Sequence, residues 1–356
     1  MKIRYSYERH PLRWWHILLL AILIVGTIFI ASERRSVAFE SRGPWSSDYL
    51  QRTEGMTFGT FYHITYRHHT SLDDSIQATL ALVDKSLSPF NPASTISAVN
   101  ENRDLHADAM LSEVFCLAKT VSQRTFGAFD ITVAPLVNLW GFGFKNIDNV
   151  SPRSIDSLRA FVGIEKVRLV DSMICKATPS IMLDCSAIAK GYGVDAVGRM
   201  LERNGVYSYM VEIGGEVRVR GSNPKGLEWN IGISTPHDDT LAQNDDIQQI
   251  ISLTDLSLAT SGNYRNFYIK NHKKYAHTID PRTGYPVQHN ILSATVLAAD
   301  CATADAYATA FMVLGLDSAR LVLERDTTLM AYFIYSVDST TTSQWYSPRL
   351  APMLKK

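Results

Sequence analysis

Hydrophobic and polar positions divide the chain into two unlike parts. From Trp14 to Ala31 the run "WWHILLLAILIVGTIFIA" is apolar apart from His16 and Thr27, and its eighteen residues at about 1.5 Å rise cover roughly 27 Å, near the hydrocarbon thickness of a bilayer. This predicts one membrane-spanning helix. Beyond it the pattern changes to the short periods of globular elements. "MTFGTFYHITY" (Met56 to Tyr66), rich in β-branched and aromatic residues, reads as the first strand. "SLDDSIQATLALVDKSLS" carries Ile76, Leu80 and Val83 at helical spacing behind an Asp-Ser cap, and a second helix is expected from Ser112 to Thr125. "FGAFDITVAPLVNLWGFG" runs through a strand-like segment into a glycine-punctuated loop.

After a polar insertion (Lys145 to Leu158), "VRLV" and "SIMLD" read as short strands, followed by a helix that begins within "LDCSAIAKGYGVD" (Leu183 to Asp195). The strands "YMVEI", "EVRVRG", "WNIGIS", "IISLTDLSLAT" and "ILSATVLA" come next, then an apolar helix from about Cys301 to Leu314, stopped by Gly315. Hairpin-length connections between strands, with helices between groups of them, predict an α+β fold with largely antiparallel sheet. Residues 1–13 are a basic segment, 14–31 the anchor, 32–54 a linker whose turn composition is clearest from Ser41 to Arg52, and 55–356 one domain.

Charge and cysteine content narrow the class. Thirty-five basic and 35 acidic residues give a formal net charge of zero without a long run of one sign, so no nucleic-acid footprint is present. Cys116, Cys175, Cys185 and Cys301 are scattered, which predicts mostly buried thiols with room for one disulfide rather than a zinc site. Lys2, Arg4, Arg9 and Arg13 precede the apolar run against one acid, Glu8, which predicts a cytoplasmic N-terminus and a body on the outer side of the cytoplasmic membrane. A small-residue cleavage site, "SVA" at Ser36 to Ala38, is the competing reading; Arg34 and Arg35 beside it favour an uncleaved anchor.

Four stretches carry candidate chemistry. In "CATADAYATAFMVLG", Asp305 and Thr309 are four apart and share one face of a helix that is otherwise apolar nearly all round. A carboxylate buried there needs a partner, which is either a hard cation such as Mg²⁺ or a backbone donor or arginine. In "YAHTIDPRTGYP", Asp280 to Gly284 has turn chemistry, and His277 ahead of it is a general base or an ordinary strand histidine. Gly214-Gly215 in "VEIGGEVRVRG" and Thr260-Ser261-Gly262 in "LATSGNYRNF" are tight turns or places where backbone approaches a ligand.

The order of "FGTFYHI", "LSPFNPASTIS", "FDITVAPLVNLWGFG", "LDCSAIAKGYGVD", "EIGGEVRVRG", "ATSGNYRNF", "HTIDPRTGYP" and "ADAYATAFMVLG" resembles the ApbE family, the FAD:protein FMN transferases, from roughly Gly55 to Gly315. The resemblance implies a T-fold-like α+β core with flavin in a cleft. It also implies splitting of FAD with Mg²⁺, transfer of FMN to a threonine or serine hydroxyl of an exported flavoprotein subunit, and release of AMP. Carried over by position, Asp305, Thr309 and the carbonyl of Ala187 would hold the metal, and Asp184 and Lys190 would bind FAD, with Gly191 and Gly193 letting the chain close around it. His277 would take the acceptor hydroxyl's proton, with Ile279 of the same motif beside the ligand, and Trp140, Gly141 and Phe142 would lie along the flavin. Asp195 would act in support.

This chain has Phe58-Gly59-Thr60 where many members have Met-Gly-Thr, and Phe90 where others carry Trp or Tyr; both are apolar exchanges able to cover a flavin ring. It has no lipid-anchoring cysteine after the apolar run, no acceptor motif of its own, and no motif position that requires Cys185 or Cys301 as a thiol. An FAD pyrophosphatase and a non-catalytic, membrane-tethered flavin carrier are the rival readings of the same residues.

Overall fold

The computed structural model describes residues 44–144, 150–236, 246–262, 267–270, 273–338 and 341–355. The expected membrane span from Trp14 to Ala31 lies outside them, and among the described residues no helix is long and apolar enough to cross a membrane.

The chain opens with strands β1 (Leu50–Thr57) and β2 (Thr60–Arg67), then helices α1 (Asp73–Leu87), α2 (Thr95–Asn100), α3 (Ala109–Arg124), α4 (Ala134–Leu139) and α5 (Pro152–Arg159). A small hairpin, β3 (Val167–Val170) and β4 (Met173–Lys176), leads to helix α6 (Ala189–Arg203). There follow β5 (Tyr209–Ile213), β6 (Glu216–Arg220), β7 (Trp229–Ser234), β8 (Ile247–Leu253), β9 (Leu256–Gly262), β10 (Phe267–Lys270), β11 (Lys273–Ala276) and β12 (Ile291–Ala298). Helices α7 (Cys301–Leu314) and α8 (Leu316–Arg325) precede the closing strands β13 (Met330–Ser336), β14 (Thr342–Tyr346) and β15 (Leu354–Lys355).

Eight strands join in one antiparallel sheet of order β1-β2-β5-β6-β9-β12-β13-β14, as the hairpin-length connections predicted. The middle strands are buried on both faces. Ala259, Val296 and Phe333 point into a core shared with the helices, while their neighbours Leu258, Leu297 and Tyr332 point into a second core under the three-stranded sheet β15-β8-β7. That two-sided burial explains why "ILSATVLA" is apolar almost throughout. Helix α7 lies against this sheet with Ala304, Ala308 and Phe311 fully covered, so its all-round apolar surface is matched by neighbours on every side.

Several local expectations are corrected. The first strand is a hairpin that starts at Leu50, inside the expected linker, and turns at Phe58-Gly59. Helix α1 begins after Leu72 without the expected side-chain cap, and the second long helix starts three residues early, at Ala109, because Asp108 caps it by accepting from Leu111 N. "IISLTDLSLAT" is two strands, β8 and β9, that turn between Leu253 and Leu256. The polar insertion contains α5, opened by a reciprocal cap between Ser151 and Ser154. Neither "FDIT" nor "SIMLD" is a strand. In the first, Asp130 Oδ1 accepts from Thr132 N and Oγ1 and curls the chain into a turn ahead of α4. In the second, the buried Asn100 side chain bonds Leu183 N and O, at 2.7 and 2.8 Å, in place of a strand neighbour. All four cysteines are free, and only Cys185 and Cys301 are buried; Cys116 and Cys175 are exposed.

Candidate functional site

The site is built where α6 and α7 cross. Gly191, in the first turn of α6, sits so close to α7 that a Cβ there would collide with the Cys301 carbonyl oxygen and lie 2.8 Å from Asp305 Cβ. Its N–H, which as the third of the helix has no acceptor within α6, donates to Asp305 Oδ2 at 3.0 Å. One helical turn further on, the buried Asp195 accepts from the first N–H groups of α7, Cys301 N at 3.0 Å and Ala302 N at 2.9 Å, and pairs with Arg218 at 2.8 Å. Asp300 caps Thr303 N of the same helix. Helix α7 is therefore tied to α6 at two levels, which fixes Asp305 relative to Ala187 and Lys190.

A cavity of about 660 Å³ opens beside this crossing, large enough for a cofactor-sized ligand. Its wall includes Phe58, Phe90, Phe142, Asp184, Ala187, Lys190, His277, Ile279 and Thr309, so most of the residues singled out in the sequence converge on it from separate elements. Apolar groups, among them Val83, Leu87, Pro89 and Val137, cover much of the rest, which suits a flat aromatic ligand with a charged tail.

Phe58 reaches the cavity through a strained turn. Phe58 and Gly59 have φ of +50° and +74°, both in the left-handed region, and a bulky residue there is an outlier. Its ring lies against Gly193, where a Cβ would meet Phe58 Cε2 at 2.6 Å, so the absence of a side chain at Gly193 makes the space. Phe90 is 66% exposed at the cavity edge, its ring meeting that of Phe144 edge-on with centroids 6.1 Å apart.

Trp140, Gly141 and Asp305 are not among the lining residues; Asp305 is buried behind Lys190 and Thr309, which are. Trp140 is buried in the cluster of Leu136, Leu139, Ile155 and Ile279, and its Nε1–H donates to the Gly284 carbonyl at 2.9 Å. It therefore braces the turn that follows His277. In that turn Asp280 takes Arg282 through both oxygens, at 2.9 Å each, and Gly284 closes it at φ +81°. His277 itself meets the Phe142 ring edge-on, with centroids 6.4 Å apart.

The polar end has a graded electrostatic character. Burial pushes the Asp184 carboxyl up against the two hydrogen bonds from Ser186 that favour its charge, and burial likewise raises Asp130. Burial opposes the Lys190 ammonium, but Asp305 and Glu216 outweigh it and hold Lys190 above the ordinary lysine range. Thr309 Oγ1 lies 3.2 Å from Ser261 Oγ, which brings the hydroxyl-rich end of β9 to the site. Gly214-Gly215 is an ordinary tight turn between β5 and β6.

The Asp305 carboxylate, the Thr309 hydroxyl and the Ala187 carbonyl are hard oxygen donors of the kind Mg²⁺ takes when phosphate and water complete its shell. Among the described residues no group of three or more His, Cys, Asp or Glu could hold a metal, so a softer or carboxylate-rich site is not offered elsewhere. Two participants escaped the sequence reading. Arg218 holds Asp195 from β6, and Glu216 on the same strand pairs with Lys190 at 2.6 Å. The available signal was an acid placed directly after Gly214-Gly215 at the head of a core strand.

A family model described as the ApbE family matches residues 58–333. The chain is 38% identical over 302 residues to the FAD:protein FMN transferase of Haemophilus influenzae, covering 80% of this chain and 86% of that protein. It is 35% identical over 313 residues to the FAD:protein FMN transferase of Vibrio cholerae, covering 85% and 92%. Among solved structures, the flavin transferase ApbE from Vibrio cholerae matches with a TM-score of 0.76 at 33% identity, covering 85% of this chain and 99% of that one. The apo form of Pseudomonas stutzeri flavinyl transferase ApbE matches with a TM-score of 0.76 at 30% identity, covering 85% and 96%. With the same motifs converging on one cavity, the chain belongs to the ApbE family.

Proposed function

We propose that this protein is an FAD:protein FMN transferase that moves FMN from FAD to a threonine or serine hydroxyl of an exported flavoprotein and releases AMP. The observation that carries the reading is one cavity lined by an aromatic wall, Phe58, Phe90 and Phe142, by the polar groups Lys190, Asp184 and Thr309, and by His277. The aromatic wall takes the isoalloxazine ring, and Lys190 offsets phosphate charge.

Asp305, Thr309 and the Ala187 carbonyl would hold Mg²⁺, which when bound neutralises charge on the diphosphate. His277 accepts the proton of the acceptor hydroxyl, whose oxygen then forms a bond to the FMN phosphorus as the bond to the AMP oxygen breaks. Phe142 against His277 limits how the imidazole turns, and Trp140 keeps the following turn in place. The protein is otherwise a positioning frame, as phosphoryl transfer requires.

The apolar run from Trp14 to Ala31, with basic residues ahead of it, supports an uncleaved single-pass anchor that places this domain on the periplasmic side of the cytoplasmic membrane. The reading is tested by incubating the full chain with FAD and Mg²⁺ and following AMP with and without an acceptor flavoprotein domain. AMP that depends on acceptor, metal and Asp305 supports transfer. AMP at the same rate without acceptor makes the protein a pyrophosphatase, and bound FAD with no AMP makes it a carrier.

A further inference from the structure

Two buried carboxylates at this site face a single ammonium. Asp305 and Glu216 are each 2% exposed. Glu216 Oε1 lies 2.6 Å from Lys190 Nζ, whereas Glu216 Oε2 is buried and has no hydrogen-bond partner among the described residues. Lys190 is within electrostatic reach of both acids, and the two acids are within reach of each other. Above about pH 8, where Glu216 ionises, the cluster carries one uncompensated negative charge in a buried setting, where such a charge is costly unless something positive joins it. An orphaned buried carboxylate oxygen is also unusual in a folded protein and calls for an explanation.

We propose that Glu216 is a positioning residue for the cation site: by holding the Lys190 ammonium and adding its own charge, it sets the net charge that Asp305 presents to a divalent cation. This rests on the reading of Asp305 and Thr309 as cation ligands. Glu216 touches no reacting atom in this account. It acts as groups behind a metal ligand commonly do, tuning affinity through charge and orientation.

The proposal separates from a purely structural strut by charge. Glu216→Gln leaves Lys190 charged and brings the net charge of the cluster to zero, so it weakens cation binding. Lys190→Met removes the positive charge that favours ionised Glu216, so the two acids keep one proton between them until a cation displaces it; the net charge is no less negative than in wild type, and binding is not weakened. Lys190→Met/Glu216→Gln restores the original net charge with a neutral pair, so it returns affinity toward wild type. A strut would lose affinity in both single variants.

The test is calorimetric titration of the full chain in detergent with Mg²⁺ alone, without FAD, at a pH above about 8, since burial lifts the Glu216 carboxyl to about 8. Thermal melts of each variant accompany the titrations, and the neutral double variant covers the case in which a single variant fails to fold. The expected result is a roughly tenfold or greater loss for Glu216→Gln, no loss for Lys190→Met, and near wild-type affinity for the double variant. Losses in both single variants, or no change in either, overturn the proposal while leaving the cation site intact. Binding that survives Asp305→Ala, or no binding by wild type, overturns the reading of the site and this inference with it.

Discussion

Asp305 Oδ2 accepts a hydrogen bond from the N–H of Gly191 at 3.0 Å, so the acid on α7 and the opening turn of α6 form one unit. That contact needs Gly191 without a side chain: an added Cβ would lie 2.7 Å from the Cys301 carbonyl carbon and 2.8 Å from Asp305 Cβ. Gly191→Ala is expected to push the helices apart, destabilising the protein by about 1–3 kcal/mol and weakening divalent cation binding. A thermal melt and a cation titration of the same variant check both effects. Gly193→Ala collides instead with the movable ring of Phe58, so it should cost less stability and raise KM for FAD.

Phe90 tests the aromatic wall without disturbing the core. At 66% exposure it supports little of the fold, so Phe90→Ala should leave the melting temperature nearly unchanged. Loss of ring contact should weaken FAD binding by about 0.5–1.5 kcal/mol, roughly twofold to tenfold, measured by quenching of flavin fluorescence.

His277→Asn should separate binding from chemistry. FAD binding is retained, while the rate of transfer falls by about 10²–10⁴ because the hydroxyl proton has no positioned acceptor. Equal losses in kcat and kcat/KM are the signature of a group that acts in the transition state. A rise in KM alone would assign His277 to binding.

These predictions show what the sequence could and could not carry. The apolar circumference of α7 announced its burial, and the spacing of Asp305 and Thr309 announced their shared face, because both are set within one helix. "FDIT" misled because β-branched residues occupy a turn that Asp130 imposes through its side chain, and "SIMLD" because its hydrogen bonds come from Asn100. The pairing of Lys190 with Glu216 joins α6 to β6, and that of Asp195 with Arg218 does the same, so both depend on tertiary structure that no local pattern encodes. Trp140 was placed beside the ligand by its position in a motif, whereas the fold uses its indole N–H to hold the Gly284 carbonyl.

His289 gives the fold a pH dependence. Its Nε2–H donates to the Met312 carbonyl near the end of α7, and its Nδ1 accepts from Ile291 N at 3.2 Å, an arrangement that requires neutral imidazole. Burial depresses its pKa below the usual 6.5, outweighing the bond to Met312. The unfolded chain then binds more protons than the folded one just below that value. Stability from this group is complete above about pH 6.5 and falls as pH drops toward the depressed pKa, by at most about 1.4 kcal/mol per unit. Denaturant melts between about pH 7 and 5 should show this slope, and His289→Gln should flatten it.

The most direct test of the account is intact-mass analysis of an acceptor flavoprotein domain after incubation with the full chain, FAD and Mg²⁺. The account predicts a mass gain of one FMN residue on the acceptor, lost when its acceptor threonine is changed to alanine and when Asp305→Ala replaces the wild-type enzyme. An acceptor of unchanged mass alongside free FMN and AMP would contradict it.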